Sequence, residues 1–259
     1  MADTFYRRDG DLFHPTELTR GPWDNHAQHG GPPAALLAGA MARYGDDSVD
    51  WFLARIGIEL LRPIPLAPLR LRVEPVRLGR SVQRLHASLW SGERCILTAT
   101  GTRIRRALVD VPVAVAVVDA WPDPESLPRF TFPFFRHAVG YHRAIELVVA
   151  VGVWGGGQVG VWARTETVLV EGQVTSPLEQ LMIIADAQSG MGMPLDPDHF
   201  TFVNPDLTVY FERDPVGGWL GFDVRSVANG HGSGLSQSAI RDGDGLVARS
   251  AQSLVVASR

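Results

Sequence analysis

The chain has 259 residues, of which 45% are apolar and 20% are charged, and this balance predicts a globular protein with a substantial core. A formal net charge of -4 argues against a nucleic-acid partner, and the longest apolar stretch in the middle of the chain, residues 111–118, is too short to span a bilayer. The first residues lack the apolar run of a secretory signal and Cys95 has no partner thiol, so we expect a cytoplasmic protein without a membrane partner. Lysine is absent from the sequence, which excludes Schiff-base chemistry.

The first half of the chain predicts one helix followed by strands. Residues 32–43 are apolar up to Arg43 and begin with two prolines where a missing N–H is harmless, and the predicted helix ends at Gly45. Residues 69–74 then alternate between apolar and polar, and Ser91 and Gly92 predict a turn between two further strands. This order indicates a helix that packs against an antiparallel meander.

A proline-rich connector over residues 107–135 predicts the boundary between two halves. We therefore expect an N-terminal repeat over residues 1–106 and a C-terminal repeat over residues 136–259. Beyond the connector, residues 144–149 and 160–164 predict a hairpin around Gly155 and Gly157. The glycines there match G-x-G-x-x-G, but a strand follows where a dinucleotide site needs a helix, so the motif indicates a turn.

The second half repeats this order with a sharper helix start. Ser176 and Glu179 form a capping-box pattern with proline between them, which predicts the beginning of a helix. Residues 181–187 are apolar nearly all round and predict a buried helix. The predicted strands that follow cover residues 207–213, 220–227, 235–241 and 246–256, with a hairpin turn at 242–245.

The two halves match each other at a constant offset. Arg62 and Arg213 lie 151 positions apart, and the same offset places the turn glycine Gly92 over Gly243, without a gap over about forty residues. An internal duplication of a buried helix with an antiparallel meander predicts a sheet wrapped around a central helix.

Asp186 is the most unusual residue of the second predicted helix. A carboxylate near the middle of an apolar helix loses its hydration and needs a donor or a cation. It is either a buried structural acceptor or a general base, and the residues alone leave both open. Gln252 is likewise polar in an apolar strand, where it either faces water at an edge or works as an amide in a site.

Four short motifs in this order resemble a known family: His29 with Gly30 and Gly31, Leu61-Arg62-Pro63, Asp186, and residues 247–252. They are similar to those of the acyl-CoA thioesterase II-like proteins, a group of double hot-dog thioesterases. The resemblance implies an α+β double hot-dog fold with two tandem antiparallel sheets, each wrapped around a long central helix.

The resemblance also implies hydrolysis of an acyl-CoA thioester by a water molecule that Asp186 activates. A glutamine of the last strand and a hydroxyl residue ahead of an earlier strand hold that water in the family. These positions fall on Gln252 and Asn204 here, so the asparagine is a departure, and Thr201 or Thr208 in a shifted register is the alternative.

His29, Gly30 and Gly31 are the predicted substrate-binding residues, because N–H groups at a helix N-terminus can stabilise an oxyanion. The alternative is a plain loop that leads into the helix. His26 and His29 are three positions apart but have no third ligand, so neither a metal nor a cofactor is predicted. The offset of 151 takes the three polar positions of the second half to residues without polar side chains, which predicts one site per chain; these are Ala35, Leu53 and Gly101.

Two other functions stay open at this stage. A hot-dog hydratase or dehydratase needs a histidine paired with a carboxylate, for which His142 and His231 have no evident position. A protein that binds an acyl ligand without turnover is the non-enzymatic alternative, because Asn204 replaces a hydroxyl residue. The expected partner is the acyl-CoA substrate, and exposed sheet edges can pair two such chains into a homodimer.

Overall fold

A computed structural model describes residues 3–45, 50–110 and 120–259, so the apolar stretch 111–118 lies outside the described residues. The described chain is mostly antiparallel sheet with few helices. The helices are α1 Gly31–Ala42, α2 Pro177–Ala185 and α3 Gln188–Met191, with one-turn 3₁₀ helices at Glu17–Thr19, Pro124–Ser126 and Tyr141–Arg143. The strands are β1 Thr4–Asp9, β2 Leu12–Pro15, β3 Trp51–Leu60, β4 Leu69–Leu78, β5 Val82–Ser91, β6 Arg94–Arg105, β7 Arg129–Phe130, β8 Glu146–Gly152, β9 Gln158–Arg164, β10 Val168–Val170, β11 Phe200–Val203, β12 Asp206–Phe211, β13 Leu220–Ala228, β14 Ser233–Asp242 and β15 Gly245–Ser258.

The strands form one continuous sheet in the order β10-β1-β2-β4-β5-β6-β3-β12-β15-β14-β13-β9-β8-β7, with β11 beside β15. The prediction of two tandem sheets is therefore wrong. The halves join where β3 pairs with β12, with Ile58 opposite Leu207 and Ile56 opposite Val209. Each of these strands would otherwise be an edge with unpaired backbone N–H and C=O groups, and pairing them satisfies both edges at once.

Strand positions agree with the offset that the sequence predicts. Strands β5 and β14 begin 151 residues apart, at Val82 and Ser233, and also end 151 residues apart. The predicted meander strands and the hairpin turn before Gly245 are confirmed. The helices do not follow this offset, because α1 begins at Gly31 and α2 at Pro177, which are 146 residues apart (177 − 31). The predicted correspondence between Asp186 and Ala35 therefore does not hold within the helices. The repeat boundaries at residues 106 and 136 stay a prediction.

The helices are buried but not long. The twelve-residue α1 has prolines at its start, as predicted, and in the second half the helix is broken in two. Asp186 lies at this break and not near the middle of a helix. The break is stabilised locally: the Gln252 side chain donates to the Asp186 backbone carbonyl at 3.1 Å, and the Ala187 N–H tightens the last turn by bonding to the Ile184 carbonyl at 2.9 Å.

The glycine-rich hairpin between β8 and β9 is a turn, as predicted. Gly155 and Gly157 have φ values of 91° and 80°, which only glycine adopts without strain, and strand β9 follows directly. Across the three described ranges, no helix combines the length and the apolar character needed to cross a membrane.

Candidate active site

A cavity of about 370 Å³ opens where the start of α1, the α2–α3 break and the loop before β12 meet. Three polar side chains of the predicted site line it, His29, Asp186 and Asn204, together with Arg62, whereas Gln252 does not. Five aromatic side chains form part of the remaining wall. The structure therefore brings residues from both halves of the chain to one concave site.

The Asp186 carboxylate is 5% exposed and is held through one of its two oxygens. Its Oδ1 atom accepts hydrogen bonds from Asn204 Nδ2 at 2.8 Å and from Gln252 Nε2 at 3.3 Å. N–H donors of this kind stabilise the charged form of a carboxylate. Among the described residues, no amide donates to the Oδ2 atom, so the two oxygens have different surroundings.

Gln252 is completely buried on β15, which makes the interpretation of an edge residue facing water wrong. Its amide nitrogen binds Asp186 twice, through the carboxylate and through the backbone carbonyl. Its Oε1 atom is buried and meets no donor among the residues that the structure describes.

Asn204, in the loop before β12, reaches Asp186, and the two threonines offered as alternatives do not. Thr201 lies on β11, where its hydroxyl donates to the Ala257 carbonyl at 3.4 Å. Thr208 lies on β12 between the buried Leu207 and Val209, so it faces the other side of the sheet. The alternative of a shifted register is therefore wrong.

His29 touches the second oxygen of the carboxylate, since its Nδ1 atom lies 3.2 Å from Asp186 Oδ2. Its ring lies parallel to the Tyr141 ring, with centroids 3.7 Å apart. The Tyr141 hydroxyl in turn donates to the Ile183 carbonyl at 2.9 Å. Burial lowers the pKa of His29, an effect that the Asp186 carboxylate partly offsets. Burial, with Asp186 as a second cause, raises the pKa of Tyr141. At neutral pH both rings are therefore uncharged.

The two glycines after His29 bring the N-terminus of α1 against the carboxylate. The Gly31 N–H donates to His29 Nδ1 at 3.1 Å, and Pro32 and Pro33 have no N–H. The Gly30 N–H has no acceptor within the described ranges. A Cβ atom on Gly31 would approach the Ile183 carbonyl oxygen to 2.0 Å, so glycine is what allows α1 to cross α2 closely. The positive end of the helix dipole therefore lies beside Asp186.

The aromatic wall comes mainly from the connector over residues 107–135, which the sequence predicts only as a boundary between the halves. Phe134 stacks on Trp23 with centroids 5.5 Å apart, and Phe202 meets the edge of Trp23 at 4.6 Å. Phe132 and Phe135 complete the wall. The phenylalanines on both sides of Pro133 were a sequence signal for this wall. No sequence signal pointed to Tyr141, because its role depends on packing against a distant loop.

Comparison with known proteins gives the family. The family model of the acyl-CoA thioesterase N-terminal domain matches residues 19–104, and that of the C-terminal domain matches residues 116–256. The chain belongs to the acyl-CoA thioesterase family. The resemblance inferred from the four sequence motifs is thereby confirmed.

Solved structures of low sequence identity share the hot dog fold. A hot dog fold protein from Alicyclobacillus acidocaldarius is 18% identical with a TM-score of 0.75, over 97% of this chain and 95% of that one. An acyl-CoA thioesterase II from Mycobacterium marinum is 19% identical with a TM-score of 0.70, over 97% and 94%. The tesB protein of Mycobacterium avium subs paratuberculosis is 18% identical with a TM-score of 0.68, over 96% and 94%. No curated protein matches the sequence significantly.

Proposed function

We propose that this protein hydrolyses acyl-CoA thioesters to a free acid and coenzyme A, with Asp186 as the base that activates water. The observation that carries the proposal is the asymmetry of the carboxylate. Two amides, from Asn204 and Gln252, fix Oδ1, whereas Oδ2 receives no amide donor and belongs to a residue that lines the cavity. An oriented carboxylate beside an apolar cavity is suited to take a proton from water.

In the proposed reaction, Asp186 Oδ2 takes one proton while the water oxygen attacks the thioester carbonyl carbon. Negative charge then develops on the carbonyl oxygen. The unpaired Gly30 N–H at the start of α1 is the donor best placed to stabilise this charge, and the helix dipole adds to its effect. The C–S bond then breaks, which releases coenzyme A as its thiolate.

The role proposed for Asn204 and Gln252 is narrower than the family resemblance implies. Both amides donate to Asp186 itself, so the role proposed for both is to orient the base. Asn204 thus donates to the base from the position where the family resemblance implies a hydroxyl residue that holds the water.

The acyl group is proposed to lie in the cavity, against its aromatic wall. Trp23, Phe134 and Phe202 offer apolar faces next to the carboxylate, and about 370 Å³ falls within the range of small-ligand pockets. Coenzyme A itself would extend from the mouth of the cavity towards solvent. The cytoplasmic location and the homodimer stay predictions.

The deciding experiment measures thiol release from acyl-CoA substrates of short to long chain, for the wild type and for Asp186→Asn, beside a binding titration of the same ligands. We expect turnover by the wild type, and its loss by roughly 100-fold or more in the variant while binding persists. Binding without turnover by the wild type would contradict the proposal and leave an acyl-ligand binding protein.

One observation favours a second candidate function. A hydratase or dehydratase needs a histidine near a carboxylate, and His29 and Asp186 form such a pair at 3.2 Å. The test is incubation with 3-hydroxyacyl-CoA and 2-enoyl-CoA, with separate measurement of the enoyl absorbance and of free thiol. Thiol release without interconversion of the two substrates supports the thioesterase, and interconversion without thiol release supports the dehydratase.

A further inference from the structure

The Nδ1 atom of His29 lies between a donor and a carboxylate oxygen. The Gly31 N–H points at it from 3.1 Å, and Asp186 Oδ2 lies 3.2 Å away. A backbone N–H needs a lone pair to bind, so Nδ1 is unprotonated in this arrangement and the neutral ring has its proton on Nε2. The contact with an ionised Asp186 then brings two acceptors together and gains little.

That contact becomes favourable once Asp186 accepts a proton. A proton on Oδ2 lies within hydrogen-bonding distance of Nδ1, since the two atoms are 3.2 Å apart, and it competes with the Gly31 N–H for the single lone pair of Nδ1. The interaction is thus stronger after water has lost its proton than before. An interaction that strengthens along the reaction is the kind that accelerates it.

The other ring nitrogen of His29 is open to the cavity. Nε2 has no hydrogen-bond partner among the described residues and does not belong to the buried polar atoms left without one, while His29 lines the cavity. The parallel stack on Tyr141 fixes the plane of the ring. An N–H donor of fixed orientation is therefore available where the thioester is proposed to bind.

We propose that His29 is the general acid of the reaction, which protonates the departing thiolate from Nε2 while Nδ1 receives the proton that Asp186 took from water. This inference rests on the proposed thioester hydrolysis. It makes His29 a catalytic residue and not only the substrate-binding residue that the sequence predicts.

The proton balance closes without a further reactant. One O–H bond of water and the C–S bond break, and a C–O bond and an S–H bond form. The ring gives one proton at Nε2 and gains one at Nδ1. It returns to its starting form by exchanging protons with solvent after the products leave the open cavity.

The burial of His29 suits this role. Burial disfavours the charged ring and lowers the pKa of His29, so an imidazolium formed during the reaction gives up its proton readily. A departing thiolate accepts it because ordinary thiols have a pKa of about 8.5. The transfer from ring to sulfur is therefore downhill.

The test compares two kinds of thioester with the same acyl group: the coenzyme A ester, whose alkyl thiolate needs protonation, and an aryl thioester, whose thiolate leaves unaided. For His29→Gln we expect kcat to fall by about 100-fold or more with the coenzyme A ester and by less than about tenfold with the aryl ester. For Asp186→Asn, kcat should fall to a similar extent with both substrates, because the hydrolysis of both needs the activated water. His26→Gln, at an exposed histidine of the same loop, is the matched control, and its kcat should stay unchanged with both substrates.

Equal losses on both substrates in His29→Gln, or no loss on either, would overturn the proposal for His29 and leave the thioesterase standing. Absence of thiol release by the wild type would instead overturn the proposed function. If His29→Gln does not fold, the wild type decides the question with a series of leaving thiols. A weak dependence of kcat on thiol pKa supports the general acid, and a steep dependence contradicts it.

Discussion

Gly30 lies directly against the Asp186 carboxylate: a Cβ atom on Gly30 would come within 2.7 Å of Oδ2 and 2.9 Å of Oδ1. The backbone of Gly30 has φ −68° and ψ −20°, which any residue adopts. Glycine is therefore required here for space and not for conformational freedom. The position of the carboxylate and the start of α1 depend on each other.

We expect Gly30→Ala to reduce kcat/KM by roughly tenfold to 100-fold, because the new methyl group displaces Asp186 Oδ2 from its place. Thiol-release kinetics and thermal unfolding of the same preparation check this. Gly243→Ala, where an added Cβ meets nothing within 4 Å, is the control and should keep full activity. Full activity of Gly30→Ala would show that the carboxylate does not need its present position.

The contact between Asn204 and Asp186 predicts a change in the pH profile. Asn204→Asp puts a second carboxylate where an amide nitrogen now lies 2.8 Å from Oδ1. Two like charges at this distance keep one group protonated, so the acid limb of the kcat/KM profile should move to higher pH by about one unit or more. Asn204→Thr keeps a donor without adding charge and should leave the limb in place. If the kcat/KM pH profiles of the wild type, Asn204→Asp and Asn204→Thr coincide, the predicted electrostatic coupling between position 204 and Asp186 is contradicted.

Two partly buried histidines should make the fold less stable in mild acid. Burial lowers the pKa of His29, and burial together with Arg143 and His137 lowers the pKa of His142, both from an ordinary value of 6.5. The folded state then binds protons less readily than the unfolded state. As the pH falls below about 6.5, the unfolded chain takes up protons first and the free energy of unfolding decreases.

Urea unfolding between about pH 7.5 and pH 5.5 measures this decrease. We expect a shallower slope for the double variant His29→Gln and His142→Gln, because the folded and unfolded states of that variant no longer differ in these two protons. An unchanged slope would assign the pH dependence to other groups.

The capping box at α2 predicts a local loss of stability. Ser176 Oγ accepts a hydrogen bond from the Glu179 N–H at 3.3 Å, and Glu179 Oε2 accepts one from the Ser176 N–H at 2.8 Å. Ser176→Ala removes one of these and should lower the free energy of unfolding by about 1 kcal/mol, measured with urea. Ser126→Ala, at an exposed serine, should change it by less than about 0.5 kcal/mol. Equal effects of the two variants would show that the cap adds nothing.

Local sequence signals were sufficient wherever the interaction spans a few residues. The capping box fixed the start of α2 at Pro177, and the two residues between Asp242 and Gly245 predicted the β14–β15 hairpin. Each depends on hydrogen bonds or backbone angles within one short segment, so neighbouring residues determine the outcome.

The sequence also singled out most of the polar site but not the way in which it is connected. Asp186 and Gln252 stood out as polar residues in apolar elements, whereas Asn204 and His29 were found through the family resemblance. Which atom binds which depends on the α2–α3 break and on the crossing of α1 over α2. Neither is encoded in the residues near Asp186 alone.

By itself, then, the sequence determined the repeated helix and meander, the helix start and the polar residues of the candidate site. Only the tertiary structure decided that β3 and β12 merge the halves into one sheet and that His29 meets Asp186 Oδ2. Only the tertiary structure placed Phe134 of the connector in the cavity wall. The physical reason is range: strand edges, helix crossings and cavity walls form between segments far apart in the chain, and their free energy is the sum of many contacts that no single segment contains.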